Sequence, residues 1–285
     1  MEIKPPVDYC QQLEKIAKRG CIIDNEQEAL EFLKRVNYYR LTAYFLPFKT
    51  EDDKYISGTH FSQVVGIYQF DHDIRRLLFP VIEEIELALR AQIAYYHGHR
   101  YGALGYLDGA NFSKRHNHEN FLEHIEKEKE HNRQQPFVQH HNEKYSGQFP
   151  IWVIIELFSM GELSLFYADM KRADQKCIAK LFSAPSDTHM RSWLKSLTIL
   201  RNFCAHYSRL YDANLPGVPR TPKDVDIQLG NKLFDYIVVL KLLYCDNISW
   251  GNSFVPRLCA VIEKYGEFIE LERIGFPPDW GKIIA

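Results

Sequence analysis

No glycine-rich phosphate loop occurs in this chain. Its 15 glycines form neither G-x-x-x-x-G-K-[ST] nor G-x-G-x-x-G, which excludes the backbone cradles that hold nucleoside phosphates in P-loop and dinucleotide-binding proteins. A G-x-S-x-G nucleophile elbow is missing, and so is the H-E-x-x-H zinc pattern. Cysteine is sparse. The six residues, at 10, 21, 177, 204, 245 and 259, form no C-x-x-C pair, which points to reduced thiols in a cytosol rather than a disulfide framework or zinc knuckle. Long apolar runs are lacking too. "IWVII" and "YIVVL" fall far short of the roughly 18 residues a membrane helix needs. The opening "MEIKPPVDYC" has no apolar segment that would direct export. A soluble, cytoplasmic protein with no membrane partner is expected. Charge of one sign is not in excess: 35 basic and 37 acidic residues leave −2. Bulk charge announces no nucleic-acid binder, and such a function would need a local basic patch.

What is present is a folding composition. The 285 residues are 46% hydrophobic and 14% aromatic, enough for a sizeable core. Helical spacing dominates. Val64, Tyr68, Ile74, Leu78, Val81, Ile85, Leu89 and Ile93 recur mostly every three or four residues. Pro80 interrupts that run and is expected to kink or split the helix. Asp71 with Arg75, and Glu86 with Arg90, stand at i and i+4 and read first as surface ion pairs. Upstream, Gly20 suits a helix C-cap and Asp24 an N-cap for "NEQEALEFLKRV". Residues 50–60 read as a polar loop or small hairpin. Residues 111–148 are rich in Lys, Glu, Asn, Gln and His, with six basic and six acidic side chains. They read as an exposed insertion around one helix. "PIWVIIELFSMGELSLFYADM" reads as a buried helix with Trp152, Ile155, Ser159, Leu163 and Phe166 on one stripe, weakened at Gly161. Residues 188–210 read as another helix, and Pro216, Pro219 and Pro222 are expected to keep the next stretch non-helical. Two helices and a tail with Pro277, Pro278 and Trp280 complete the chain. No fixed repeat and no βαβ pattern occurs. The expected fold is all-α, an irregular bundle.

Twelve histidines invite a metal reading. The pairs at 97/99, 116/118 and 140/141 lack a completing set of cysteines or carboxylates in the sequence. Most lie in the polar insertion and read as solvated. No metal and no cofactor is expected.

The chemistry concentrates in "RNFCAHYSRLYD", residues 201–212. Read as a helix, Asn202, His206 and Arg209 stand at i, i+4 and i+7 on one stripe, with Arg201 about 140° from His206. A second copy related by a two-fold axis would bring one chain's Arg beside the other's His. Histidine accepts and donates protons near neutrality. Arginine forks onto phosphate oxygens. The pair suits metal-free RNA cleavage, in which a base activates the 2′-hydroxyl and cations stabilise the phosphorane. The competing reading is a helix end whose cations complement the macrodipole.

This stretch resembles the signature of the Abi_2 (AbiD/AbiF-like) abortive-infection family of bacterial phage-defence proteins, within the HEPN superfamily. The HEPN hallmark is Arg, a polar residue, a short spacer and His, here Arg201, Asn202 and His206. "RVNYYRLTAY", "IYQFDHDIRRLL", "IEEIELALRAQIAY", "FPIWVIIELFSMGELS" and the tail "IGFPPDW" resemble family blocks in the same order. The resemblance implies an all-α HEPN-type bundle, with 1–60 as an N-terminal extension, 61–110 and 150–285 as core and 111–149 as insertion. It implies a homodimer and a metal-independent, toxin-type endoribonuclease. His206 would serve as acid/base or partner to the scissile phosphate. Arg201 would stabilise the phosphorane and Asn202 would orient the pair. Glu86, Arg90 and Glu156 would support the helix, and Arg209 would contact substrate. Two other functions compete. One is an RNA-binding protein without cleavage, working with a structured noncoding RNA through Arg75, Arg76, Arg90, Arg191, Lys195, Arg201 and Arg209. The other is a protein–protein module using the insertion.

Overall fold

A computed structural model describes residues 5–223 and 227–285. Residues 1–4, the head of the expected N-terminal extension, lie outside it. The architecture is all-α. The helices are α1 (Tyr9–Lys18), α2 (Glu26–Arg35), α3 (Tyr38–Thr42), α4 (Phe61–Tyr101), α5 (His118–His131), α6 (Pro136–Lys144) and α7 (Ile151–Ile154). They continue as α8 (Met160–Asp169), α9 (Arg172–Leu181), α10 (Asp187–Ala205), α11 (Leu233–Leu243), α12 (Asn247–Ser249), α13 (Val255–Tyr265) and α14 (Trp280–Ile284). Among the described residues the only β pairings are isolated bridges, Lys49 with Tyr55 and Ile22 with His60 among them. The first makes the expected small hairpin.

The organising element is α4. Its 41 residues span about 60 Å at 1.5 Å per residue. Helices α7, α8, α10 and α13 pack on it, because Val64, Ile67, Ile74, Leu78, Ile85, Leu89 and Ile93 form a buried stripe. Pro80 does not split it: the helix runs through. Pro80 lies on the exposed face, where a missing N–H costs least because water satisfies the freed carbonyl. The packing on the other face outweighs that local cost. Gly66 lets the chain after α13 approach closely, since a Cβ there would stand 2.4 Å from the Phe268 ring.

Three local expectations are corrected. Asn25, not Asp24, caps α2, accepting from the Glu28 N–H at 3.2 Å. Asp24 instead accepts the Ser62 N–H and pairs with His60, tying the N-terminal helices to the start of α4. The segment after Pro150 is not one helix. It breaks at Ser159, whose side chain caps α8 in a reciprocal capping box with Glu162. A Ser three residues before a Glu competes well with helix continuation, so Ser159 is a start signal rather than a stripe position. Trp152 is consequently exposed, not buried. The insertion is less solvated than its composition suggests. Phe112, Ile125, Val138 and Phe149 are buried, and Phe112 meets Phe166 of α8 edge-on while Phe121 packs against it at a tilt.

The tail packs back as expected. Phe276 lies against Phe234, and the Trp250 Nε1–H donates to the Ile284 carbonyl at 2.7 Å. Gly275 turns at φ 85°, and a Cβ there would strike Lys232 at 2.5 Å.

Candidate active site at the end of α10

Helix α10 starts at a Ser186 cap and is held on α4, α8, α9 and α11 by Met190, Trp193, Leu194, Leu197, Leu200 and Cys204, all buried. It ends at Ala205, with His206 as C-cap. The helical stripe therefore carries only Asn202 and His206, both exposed. Arg209 lies beyond the helix end and does not share the stripe, which corrects the reading of 188–210 as continuous helix.

The stop is a Schellman motif. The Ser208 N–H reaches back to the Phe203 carbonyl at 2.9 Å and the Tyr207 N–H to the Cys204 carbonyl at 3.3 Å. This geometry requires a left-handed residue after the cap, a place usually held by glycine. Here Tyr207 takes it, at φ 56°.

The chain beyond is clamped onto α4. The Leu210 and Tyr211 N–H groups donate to the two oxygens of Asp71 at 2.7 and 2.8 Å. Tyr44 donates its hydroxyl to Asp71 as well, at 2.9 Å. Arg75 stands 3.5 Å from Asp71 and donates to the Ser208 carbonyl at 3.0 Å. Arg40 donates to the Tyr207 carbonyl at 2.5 Å. Burial pushes the Asp71 carboxyl up to about 6, against the opposing pull of Arg75 and the two backbone donors. The Asp71–Arg75 pair is thus a buried anchor, not a surface pair. Its i, i+4 spacing is visible in the sequence, but its backbone partners Leu210 and Tyr211 sit about 140 positions away.

A second network joins α4 to α10. Glu86 Oε1 accepts from Arg90 Nη2 at 2.9 Å, and Glu86 Oε2 stands 3.9 Å from Arg201 Nε. Arg90 also donates to the Ile155 carbonyl and lies 3.8 Å from Glu156. Four of the expected residues, Glu86, Arg90, Glu156 and Arg201, therefore form one connected set. Asn202 follows Arg201 on the exposed face of α10, and His206 caps the helix one turn further on. No hydrogen bond among the described residues joins Arg201 to His206. Among the described residues Arg209 donates only at 3.5 Å, to the Asp212 carbonyl. Of the seven candidate cations, Arg75 and Arg90 are buried in ion pairs, while Arg76, Arg191 and Lys195 are exposed.

The histidines divide differently from the solvated reading. His97 is 1% exposed among the rings of Tyr101, Phe112 and Phe166, and burial pushes it down to about 4. His116 is buried and paired with Asp169 at 2.9 Å. The fold also brings Glu162 to His124 and Glu128, a carboxylate set invisible in the sequence, with one ligand atom each within 4.8 Å. Glu162 is committed there to capping α8 and to His124.

An all-α bundle with an Arg–carboxylate network beside an exposed helix-end histidine is the class these features define. A family model described as Abi-like protein matches residues 31–212. The chain belongs to this abortive-infection family. The matched residues include α4, α10 and the "RNFCAHYSRLYD" stretch, whereas the tail block "IGFPPDW" lies outside them. None of the curated proteins and none of the solved structures matches the chain. No helix among the described residues is long and apolar enough to cross a membrane.

Proposed function

We propose that this abortive-infection protein is a HEPN-type, metal-independent endoribonuclease acting in phage defence as a toxin-type enzyme. The observation that carries the reading is the Glu86–Arg201 contact, beside an exposed Asn202 and His206. A carboxylate on one side of a guanidinium fixes its direction and leaves its other N–H groups free for phosphate oxygens. His206 takes the proton of the 2′-hydroxyl. The 2′-oxygen attacks phosphorus, the bond to the 5′-oxygen breaks, and a protonated group returns a proton to that oxygen. The product ends are a 2′,3′-cyclic phosphate and a 5′-hydroxyl. Arg201 neutralises the phosphorane, and Asn202 orients the pair.

The active form is a homodimer with Arg201 of one chain facing His206 of the other. The 140° separation along one helix supports this, since the two side chains leave α10 in different directions. Arg209, beyond the helix end, contacts substrate. No metal or cofactor takes part, and the protein works in the cytoplasm.

Total RNA incubated with the pure protein in EDTA tests the reading. Cleavage that persists in EDTA and disappears in both Arg201→Ala and His206→Ala is the expected result. Intact RNA with all three proteins would exclude it. A second reading, RNA binding without cleavage beside a structured noncoding RNA, draws on exposed Arg191 and Lys195, one turn apart on α10. It predicts RNA that co-purifies uncut.

A further inference from the structure

We infer that the cleft between Phe79 and Tyr207 is a nucleobase subsite of the same active site, holding a base adjacent to the scissile phosphate by stacking. This rests on the ribonuclease reading above and adds the part of the substrate recognised.

The open cleft has a volume of about 430 Å³, and its lining includes Arg75, Arg76, Phe79, Ala205 and Tyr207. That size falls in the range of roughly 300–1,000 Å³ for small-ligand sites. Ala205 and Tyr207 flank His206 in the chain. Phe79 stands seven residues before Glu86, two turns along the same face of α4, which places the cleft about 10 Å along the α4–α10 packing from the Glu86–Arg201 contact.

Two aromatic side chains there are exposed, Phe79 by 38% and Tyr207 by 64%. Exposed rings have faces free for stacking. The charge also suits a nucleotide. The lining contains no carboxylate, and the Arg76 guanidinium is exposed and has no ion pair among the described residues. Base stacking on aromatics with a cation at the backbone is the general recipe for single-stranded nucleic acid.

The strongest sign is the cost of Tyr207. Its left-handed backbone is the glycine position of a Schellman motif, so a tyrosine there is conformationally unfavourable. Its ring recovers little by packing, being mostly in water. Arg40 and Arg75 hold the strained turn in place through the carbonyls of Tyr207 and Ser208. Strain kept by its surroundings and rewarded by little internal packing marks a residue used for something outside the fold.

The test uses the full chain and a fluorescein-labelled 2′-O-methyl oligonucleotide of about ten residues, which lacks the attacking hydroxyl. Tyr207→Gly is expected to weaken binding about five-fold or more, with a melting temperature equal to or above wild type and an unchanged oligomeric state in sedimentation. Tyr207→Phe retains binding. Phe79→Ala weakens binding too, and adds little on top of Tyr207→Gly. Wild-type binding by Tyr207→Gly would overturn the subsite. So would a weakened binding that tracks a lower melting temperature or loss of a dimer, since Tyr207 would then be structural. If wild type cuts RNA and Tyr207→Gly cuts and binds equally well, the subsite falls and the ribonuclease stands. If wild type neither binds nor cuts RNA, both fall.

Discussion

Glu86 serves two arginines at once, accepting from Arg90 at 2.9 Å through one oxygen and standing 3.9 Å from Arg201 through the other. Among the described residues it is the one carboxylate within ion-pair distance of Arg201, and it ties α4 to α10 there. Replacing it with Gln keeps the shape but removes the charge that directs Arg201. Cleavage is expected to fall at least ten-fold in Glu86→Gln, with a smaller loss in substrate affinity. Glu86→Ala leaves Arg90 buried with its close partner gone, at a cost of about 3 kcal/mol. Denaturant titration of both variants, beside RNA cleavage rates, separates the two effects. Full activity in Glu86→Gln would mean that Arg201 needs no such support.

Asp71 holds the chain that follows His206. Its oxygens each accept a backbone N–H, so an amide at this place must turn its NH₂ toward a donor. Asp71→Asn is expected to lose about 1–3 kcal/mol by leaving a buried donor unpaired, and to lose cleavage beyond what the lower stability explains. Urea unfolding combined with cleavage under conditions where both proteins are folded would show this. A variant as stable and active as wild type would remove the clamp from the mechanism.

His97 predicts a pH dependence. Burial lowers its pKa from 6.5 to about 4, so the folded chain holds it neutral while the unfolded chain binds a proton below 6.5. Its contribution is present above pH 6.5 and is lost as pH falls toward 4. The full swing is up to about 3 kcal/mol. Asp71, raised to about 6, acts with opposite sign over about pH 4–6. The His97 part is therefore read as the difference between wild type and His97→Leu at each pH. The variant is expected to gain relative to wild type as pH drops. Parallel curves would show that His97 charges freely in the fold.

The all-α class and most helices were legible because their signals are local: apolar spacing in α4, α10 and α11, Gly20 after α1, prolines after α10. Ser159 carries half of a capping-box signal, yet the apolar residues around it read as one continuous helix and hid it. Pro80 is misleading for the converse reason: its local cost is real, but packing on the far face of α4 outweighs it. The Arg201, Asn202 and His206 set was visible as a motif. The Glu86–Arg201 contact was not, since i, i+4 spacing pairs Glu86 with Arg90 and says nothing of α10. Asp71 and Tyr207 needed the fold most. One looks like an ordinary surface acid, and the other looks like helix until the backbone turns left-handed.

The central claim is a site shared between two chains, and subunit mixing tests it most directly. Arg201→Ala and His206→Ala are each expected to be inactive alone. Mixed and exchanged, they form heterodimers in which one of the two composite sites regains both residues. Cleavage is expected to return to as much as about one quarter of wild type in an equal mixture. A mixture that stays as inactive as its parents, with exchange verified, would contradict a site built from Arg201 of one chain and His206 of the other.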